Sequence, residues 1–189
     1  MKEFEHRFKI ESRNKIESKI SEIGFKKQVT KKQLDLIFEK EELSNFDAFP
    51  PGYWIIRLRI EDDRKSKLEM KERIDDNTWE EHPFEISNPE NAIYVLSKML
   101  NASRIISKER QVWKSDKSNV EIAVDDVDKL GSFIEFEGPE NEVLELIEIL
   151  GFNLKESQPP YGTLIYRMQK QNKLSFNLND FYNALKNAS

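Results

Sequence analysis

Charged and apolar residues alternate along several stretches of this chain, and this alternation restricts its fold more than any other feature. It runs through residues 2–10 and returns at 53–61 and 67–74. Because successive side chains of a β-strand point to opposite faces, each stretch predicts a strand with one charged face and one apolar face. Further strands are expected at 33–39, 79–86, 104–113, 119–125, 132–137 and 161–168.

Helical spacing of apolar residues separates some of these strands. Amphipathic helices are predicted at 13–23, 89–100 and 139–150, with a shorter one near 178–185. Gly24 and Gly151 suit the left-handed position that ends a helix. Asn88 suits the N-cap of the helix predicted at 89–100, and Pro89 suits its first helical position. Strands mixed with helices, and no linker between them, predict a single α+β domain.

The charged faces indicate how the sheet closes. An antiparallel sheet normally turns its charged face to water. If the sheet instead closes on itself and helices cover its apolar face from outside, the charged face lines the interior of a barrel. We therefore expect an α+β fold of about eight mostly antiparallel strands, which forms a β-barrel lined by charged residues if the sheet closes with the helices packed outside. The tunnel domain is expected at 1–172, with 173–189 as its C-terminal helical extension. An interior of mixed charge is costly unless it is wet or holds an ionic ligand.

Composition excludes several classes of function. The 189 residues include 30 basic and 35 acidic ones, for a net charge of −5, so duplex nucleic acid is not an expected partner. The chain has no cysteine and two histidines, which disfavours thiolate chemistry and a multi-histidine zinc site. No apolar run of about 18 residues predicts a membrane span. We expect a cytoplasmic protein, monomeric or homodimeric.

The tripeptide Glu-Phe-Glu occurs twice, at 3–5 and 135–137, and each copy precedes a helical stretch that ends in Gly-Phe. Residues two apart on a strand share a face, so each copy projects two carboxylates one way and a phenylalanine the other. If the copies meet, Glu3, Glu5, Glu135 and Glu137 form a site of four carboxylates. Such a site suits a hard cation such as Mg²⁺ or Mn²⁺.

Basic residues repeat the same two-residue spacing. Arg57 with Arg59 and Lys108 with Arg110 form pairs on separate predicted strands. Guanidinium groups bind phosphate oxygens through two parallel hydrogen bonds, and ammonium groups add point charge. A polyphosphate bridged to a cation would satisfy the acidic and basic groups together. A solvated strand face is the commoner explanation of any one pair, but several basic and acidic pairs on separate strands favour an ionic ligand.

The motifs occur in an order that resembles a known family. Glu3-x-Glu5-x-Arg7 resembles the Glu-x-Glu-x-Lys signature of the CYTH superfamily, the triphosphate tunnel metalloenzymes. The resemblance continues through Gln33-x-Asp35, Ile56-Arg57-Leu58-Arg59, Leu68-Glu69-Met70-Lys71, Glu81 with Glu85, Lys108-x-Arg110, and the run from Asp125 to Glu137. Arg7 departs from the pattern, because it stands where the signature has lysine.

The resemblance implies a closed eight-stranded antiparallel β-barrel with helices packed outside. Its interior would be a tunnel that binds a triphosphate with Mg²⁺ or Mn²⁺. It implies these metal ligands: Glu3, Glu5, Asp125, Glu135 and Glu137. It implies that the phosphates are bound by Arg57, Arg59, Lys71, Lys108 and Arg110, with Arg7 and Lys71 as catalytic cations. The substrate would be ATP, thiamine triphosphate or tripolyphosphate.

Several functions remain open at this stage. A triphosphate phosphohydrolase is favoured over a class IV adenylyl cyclase, because hydrolysis needs only an ordered water. A non-catalytic module that binds polyphosphate or nucleotide is a further alternative, and so is a barrel whose charges pair internally and bind nothing. Trp54 or Trp113 could stack on a substrate ring, although aromatic residues on strands more often belong to the core.

Overall fold

The computed structural model describes residues 2–40, 50–61, 65–75 and 78–188, and it describes the side chains of all of these except 2, 3 and 188. Eight β-strands form the sheet. They are Lys2–Lys9 (β1), Lys26–Glu39 (β2), Trp54–Glu61 (β3), Ser66–Arg73 (β4), Thr78–Ile86 (β5), Asn101–Lys114 (β6), Glu121–Val127 (β7) and Gly131–Gly138 (β8).

The strands close into a barrel in the order β1-β5-β4-β3-β2-β6-β7-β8. Neighbouring strands run antiparallel in the pairs β1–β8, β2–β3, β3–β4, β4–β5, β6–β7 and β7–β8. This confirms the α+β fold with a closed eight-stranded antiparallel barrel. Two strands are longer than expected, since β2 and β6 each have 14 residues. The first half of β2 is polar and mostly exposed, so it lacks the apolar alternation that reveals a strand in sequence.

Five helices accompany the strands. They are Arg13–Glu22 (α1), Pro89–Ser97 (α2), Glu140–Ile149 (α3), Tyr161–Lys170 (α4) and Leu178–Ala188 (α5). The prediction of a strand at 161–168 was wrong, because α4 occupies that stretch. Tyr161, Thr163 and Ile165 are buried and mimic a period of two, but Tyr166 is buried as well, which a half-buried strand would not allow. The barrel also closes with eight strands and so has no edge for a ninth.

The two Gly-Phe pairs end their helices in the same way. Gly24 has a φ of +90° and Gly151 a φ of +79°, a conformation that costs glycine little and other residues more. The amide of Phe25 then donates to the carbonyl of Ile20 at 3.2 Å, and that of Phe152 to Ile147 at 3.0 Å. Both bonds span five residues back into the helix, as in a Schellman ending. Asn88 caps α2 as predicted, accepting from the amide of Asn91 at 2.8 Å.

The chain divides into two compact units. Unit A is formed mainly by Lys32–Ser107 and Tyr161–Ser189, and unit B by Glu3–Lys31 and Lys108–Pro160. In unit B the apolar faces of β1, β7 and β8 pack against α1 and α3. The central members of that core are Phe8, Ile20, Ile122, Ile134, Phe136, Val143 and Ile147. In unit A the apolar faces of β2 and β3 pack against α2 and α5, around Leu36, Phe38, Leu58, Ile93 and Phe181.

Helix α4 of unit A packs differently from α2 and α5. Tyr166 packs with Trp79 of β5, and Trp79 shares its strand face with Glu81 rather than with the apolar residues. Gly162 lies beside Arg104, since a Cβ on that glycine would be 3.8 Å from the arginine Nε. This helix therefore covers part of the charged face of the sheet, whereas the four helices that were predicted pack on the apolar faces.

Candidate functional site

The two Glu-Phe-Glu copies lie on neighbouring strands of unit B and meet at one glutamate of each. In the antiparallel register of β1 and β8, Glu5 stands opposite Glu137 and Arg7 opposite Glu135. Phe136 points the other way into the core beneath the helices. The predicted meeting of the two copies is therefore present. Its cause is the strand period, which puts Phe136 in the core and Glu5, Glu135 and Glu137 on the charged face.

Three of these glutamates form a compact cluster, which we call the carboxylate triad: Glu5, Glu135 and Glu137. One oxygen from each lies within 4.8 Å of the others. Glu135 is buried, and Glu5 and Glu137 are partly buried. Glu3, the fourth predicted member, has a side chain outside the described part of the structure. All three donors are carboxylate oxygens, the ligand type that Mg²⁺ and Mn²⁺ prefer, so the triad fits such an ion.

Arg7 lies against this triad. Its Nη2 contacts Oε1 of Glu5 at 2.7 Å, and its Nε donates to Oε2 of Glu135 at 2.9 Å. The arginine is 5% exposed. Its backbone is held as well, because the amide of Gln158 donates to the Arg7 carbonyl at 2.8 Å. Arg7 therefore pairs with two of the three triad carboxylates.

Asp125 forms a second group of charges with the basic pair of β6. Arg110 donates to both of its oxygens, from Nε at 2.8 Å and from Nη2 at 2.7 Å. Lys108 lies 3.3 Å from the same carboxylate. Arg110 also reaches Oε1 of Glu135 at 2.7 Å, which joins this group to the triad. Asp125 is thus placed with the predicted phosphate-binding cations and is not a member of the triad.

The cations keep these buried carboxyl groups ionised. Burial alone would raise the pKa of Glu135, but Arg110, Arg7 and Lys108 together hold it well below its usual range. Burial likewise opposes ionisation of Asp125, and Arg110 and Lys108 overcome it, so its pKa is lowered. Opposite charge within hydrogen-bond distance outweighs desolvation at both positions. Glu135 and Asp125 are therefore carboxylates, the form that a cation requires, at neutral pH.

The remaining predicted cations lie in unit A and are paired there. Arg59 donates to both oxygens of Asp35 at 2.7 Å. Arg57 contacts Glu69 at 2.5 Å and lies 3.7 Å from Glu81. The pairing follows from register, because Arg59 stands opposite Asp35 and Arg57 opposite Glu69 on the adjacent strands.

Lys71 pairs closely with Glu81, its opposite neighbour on β5. Burial would raise the pKa of Glu81, but Lys71 and Arg57 lower it to about 2. The Lys71 ammonium also lies 5.5 Å from the centre of the Trp79 ring, within the range of a cation–π contact. The other predicted acidic residue of this strand, Glu85, is exposed.

One buried ionic group of unit A escaped the sequence analysis. Arg104 is 1% exposed, and its Nη2 contacts Oε2 of Glu39 at 2.5 Å. Tyr53 donates to the same oxygen at 2.5 Å. Arg104 shares the alternation of Lys108 and Arg110, four and six residues later, so the period of the strand could have revealed it.

The aromatic candidates divide between core and partly buried positions. Trp113 is 5% exposed and belongs to the core of unit B on the face covered by helices. It is therefore a core residue and does not stack on a substrate ring. Trp54 is partly buried at the start of β3. His6, which sequence analysis left out of the site, packs beside Phe4 and hydrogen-bonds through Nδ1 to the Ser157 hydroxyl at 2.8 Å.

Known proteins resemble this chain along most of its length. A protein of Methanocaldococcus jannaschii that bears the name "putative adenylate cyclase" is 28% identical over 153 residues, which cover 79% of this chain and 84% of that protein. The structure of the PH1012 protein from Pyrococcus horikoshii superimposes with a TM-score of 0.72 at 24% identity, over 86% of this chain and 98% of that one.

A more distant structure is that of HpAC1 from Hippeastrum, described as a "putative adenylyl cyclase" with a dominant triphosphatase activity. It gives a TM-score of 0.59 at 17% identity, over 94% of this chain and 98% of that one. At such identities the two structures support the fold. Among the described helices, none is long and apolar enough to span a membrane. The CYTH domain model matches residues 1–160, and with the closed tunnel of eight antiparallel strands this shows that the chain belongs to the CYTH domain family.

Proposed function

We propose that this protein is a divalent-metal-dependent enzyme that hydrolyses a phosphoanhydride bond of a triphosphate-containing substrate. The observation that carries the proposal is the carboxylate triad with buried cations directly beside it: Arg7 contacts two triad members and Arg110 contacts one. Carboxylates hold a cation and guanidinium groups hold phosphate oxygens, so the two sets together suit a metal-bound phosphate chain.

The triad would hold the ion. Its three oxygens leave further positions of an octahedral Mg²⁺ or Mn²⁺ for water and phosphate. A bound ion of this kind neutralises charge that develops on the phosphate oxygens. Glu5, Glu135 and Glu137 also sit on paired strands, which fix their spacing better than a loop would.

The cations beside the triad would bind and orient the phosphates. Arg7, Lys108 and Arg110 are each at most 7% exposed, so water screens their charge little. Their part in the reaction is to position the phosphate chain and to stabilise negative charge in the transition state, without a covalent intermediate. From the family pattern we extend the phosphate-binding role to Arg57, Arg59 and Lys71, with Lys71 and Arg7 as the catalytic cations.

The product mixture tests this function. Purified protein is incubated with Mg²⁺ or Mn²⁺ and with tripolyphosphate, thiamine triphosphate or ATP in parallel. We expect orthophosphate from at least one substrate, loss of that product when EDTA removes the metal, and loss of it again in Glu137→Gln. The matched control is Glu145→Gln, an exposed glutamate of α3. Tight binding of a triphosphate without metal and without any product would instead support the non-catalytic module.

Adenylyl cyclase activity is the second candidate, and one observation favours it. The 28% identical relative from Methanocaldococcus jannaschii is named for that activity. Cyclisation of ATP releases pyrophosphate and cyclic AMP, whereas hydrolysis releases orthophosphate, so the same assay separates the two. The dominant triphosphatase activity in the description of the Hippeastrum structure supports hydrolysis as the first choice.

A further inference from the structure

Arg7 occupies the oxygens that a metal ion would use. Its guanidinium contacts Oε1 of Glu5 through Nη2, and Oε2 of Glu135 through both Nε and Nη2, at 2.7 to 2.9 Å. Two of the three triad carboxylates are therefore already paired with one side chain. A divalent ion at the triad would have to share these oxygens with a fixed positive charge that is almost completely buried.

Arginine makes this competition stronger than the lysine of the family signature would. A guanidinium presents several N–H donors in a planar fork and can hold two carboxylates at once, whereas an ammonium is a compact point charge on a flexible stem. The strand pairing fixes the fork in place, because Arg7 stands directly opposite Glu135 and two residues from Glu5 on the same face. Arginine in place of the signature lysine at position 7 therefore keeps the positive charge and changes how the triad carboxylates are paired.

A phosphate chain offers the guanidinium another partner. Phosphate oxygens accept the same two parallel hydrogen bonds as a carboxylate, and they carry more charge. Once Arg7 binds phosphate, the oxygens of Glu5 and Glu135 are available to a cation. We propose that Arg7 pairs with the carboxylate triad until a phosphate chain binds, so that metal and triphosphate bind this protein cooperatively. This inference rests on the proposed function, because it assumes that the triad is the metal site.

Reciprocity makes the coupling measurable from the metal side alone. If the phosphate chain raises the affinity for metal by a given factor, the metal raises the affinity for the phosphate chain by the same factor. The probe is Mn²⁺, titrated by calorimetry with and without a tripolyphosphate analogue that has nitrogen bridges and resists hydrolysis. A parallel titration without protein subtracts the metal that the analogue binds by itself.

Three variants separate pairing from net charge. Arg7→Gln removes the charge and the fork, Arg7→Lys keeps the charge and removes the fork, and Lys9→Gln removes an exposed charge from the same strand. For the wild-type protein we expect the analogue to raise the affinity for Mn²⁺ by about tenfold or more, within the usual span of coupling between sites. Arg7→Gln should bind Mn²⁺ alone about tenfold tighter than wild type and lose most of the coupling. Arg7→Lys should lie between them, and Lys9→Gln should match wild type.

The titrations distinguish failure of the Arg7 inference from failure of the proposed function. If Mn²⁺ binds and Glu137→Gln abolishes binding, but Arg7→Gln and Arg7→Lys bind it no tighter than wild type, the competition is refuted while the metal site stands. If Glu137→Gln leaves the Mn²⁺ affinity unchanged, the triad is not the metal site and both proposals fall. If Arg7→Gln does not fold, which circular dichroism detects, Arg7→Lys decides the question, because it keeps the buried charge.

Discussion

Replacing Asp125 by asparagine removes the charge that holds the basic pair of β6. Asp125 is completely buried, and Arg110 binds both of its oxygens while Lys108 lies 3.3 Å away. Breaking a buried ion pair from one side costs about 3–5 kcal/mol, because the opposite charge stays buried without compensation. Asparagine keeps one acceptor oxygen, so we expect about 3 kcal/mol. At roughly 2–4 °C per kcal/mol for a chain of this size, the melting temperature should fall by about 6–12 °C.

Chemical denaturation and thermal melting at pH 7 measure this loss. The control is Asp128→Asn, which removes the same charge from a residue whose side chain is 63% exposed and 3.7 Å from Lys129. Exposed pairs of this kind contribute little, so its free energy of unfolding should change by less than about 1 kcal/mol. If Asp125→Asn loses no more stability than Asp128→Asn, the account of Asp125 as the buried anchor of the basic pair is wrong.

The same variant should change how stability depends on pH. The folded pKa of Asp125 lies below its unfolded value, so its contribution is present above the unfolded pKa and is lost as the pH falls through the folded pKa. Asp125→Asn lacks this titration. Its free energy of unfolding should therefore decline less steeply than that of wild type below about pH 4, the unfolded pKa of aspartate. A parallel decline in both proteins would contradict the assignment.

Three further substitutions test the fold around the site, each by the free energy of unfolding in urea. Phe136→Ala removes a fully buried ring from the core of unit B and should cost about 3–5 kcal/mol; a loss below about 1 kcal/mol would contradict the core assignment. Gly138→Ala should cost about 1–3 kcal/mol, because φ is +155° and the added Cβ would lie 3.1 Å from the Cα of Val120; an unchanged midpoint would refute this. Arg104→Met leaves the buried carboxylate of Glu39 without its cationic partner and should cost about 3–5 kcal/mol. Adding Glu39→Gln should restore most of that loss; if the losses of the two single variants simply add in the double variant, the pair is not the cause.

Sequence period predicted the mixture of strands and helices and the meeting of the two Glu-Phe-Glu copies, whereas the family resemblance implied that eight strands close into a barrel. Alternation in β1 and β8 assigns Phe136 to the core and Glu5 and Glu135 to the opposite face, and the antiparallel register then brings the glutamates together. The helix ends at Gly24 and Gly151 were also predictable, because only a residue that tolerates positive φ suits both positions.

Other features depend on long-range packing that a period cannot show. Helix α4 was mistaken for a strand, since its buried residues alternate over five positions before Tyr166 breaks the pattern. The role of Asp125 is set by its partner strand, because Arg110 stands opposite it in the register of β6 and β7. The metal-ligand role that the family pattern implies for Asp125 stays a prediction, and the structure adds its pairing with Arg110 and Lys108.

Charge pairing within the tunnel likewise required the structure. The sequence shows acidic and basic residues on the same faces, but it does not show that Arg7 pairs with Glu5 and Glu135. That pairing determines which contacts a metal ion at the triad would have to displace, and it arises from side-chain geometry rather than from composition.

Release of orthophosphate from tripolyphosphate tests the central claim most directly. Wild-type protein and Glu135→Gln are compared at equal concentration with Mn²⁺, and again with excess EDTA. The account predicts steady release by wild type with Mn²⁺, little or none with EDTA, and a loss of at least about a hundredfold in Glu135→Gln, because that substitution removes a buried ligand charge and the partner of both Arg7 and Arg110. Release that continues undiminished in EDTA or in Glu135→Gln would contradict it.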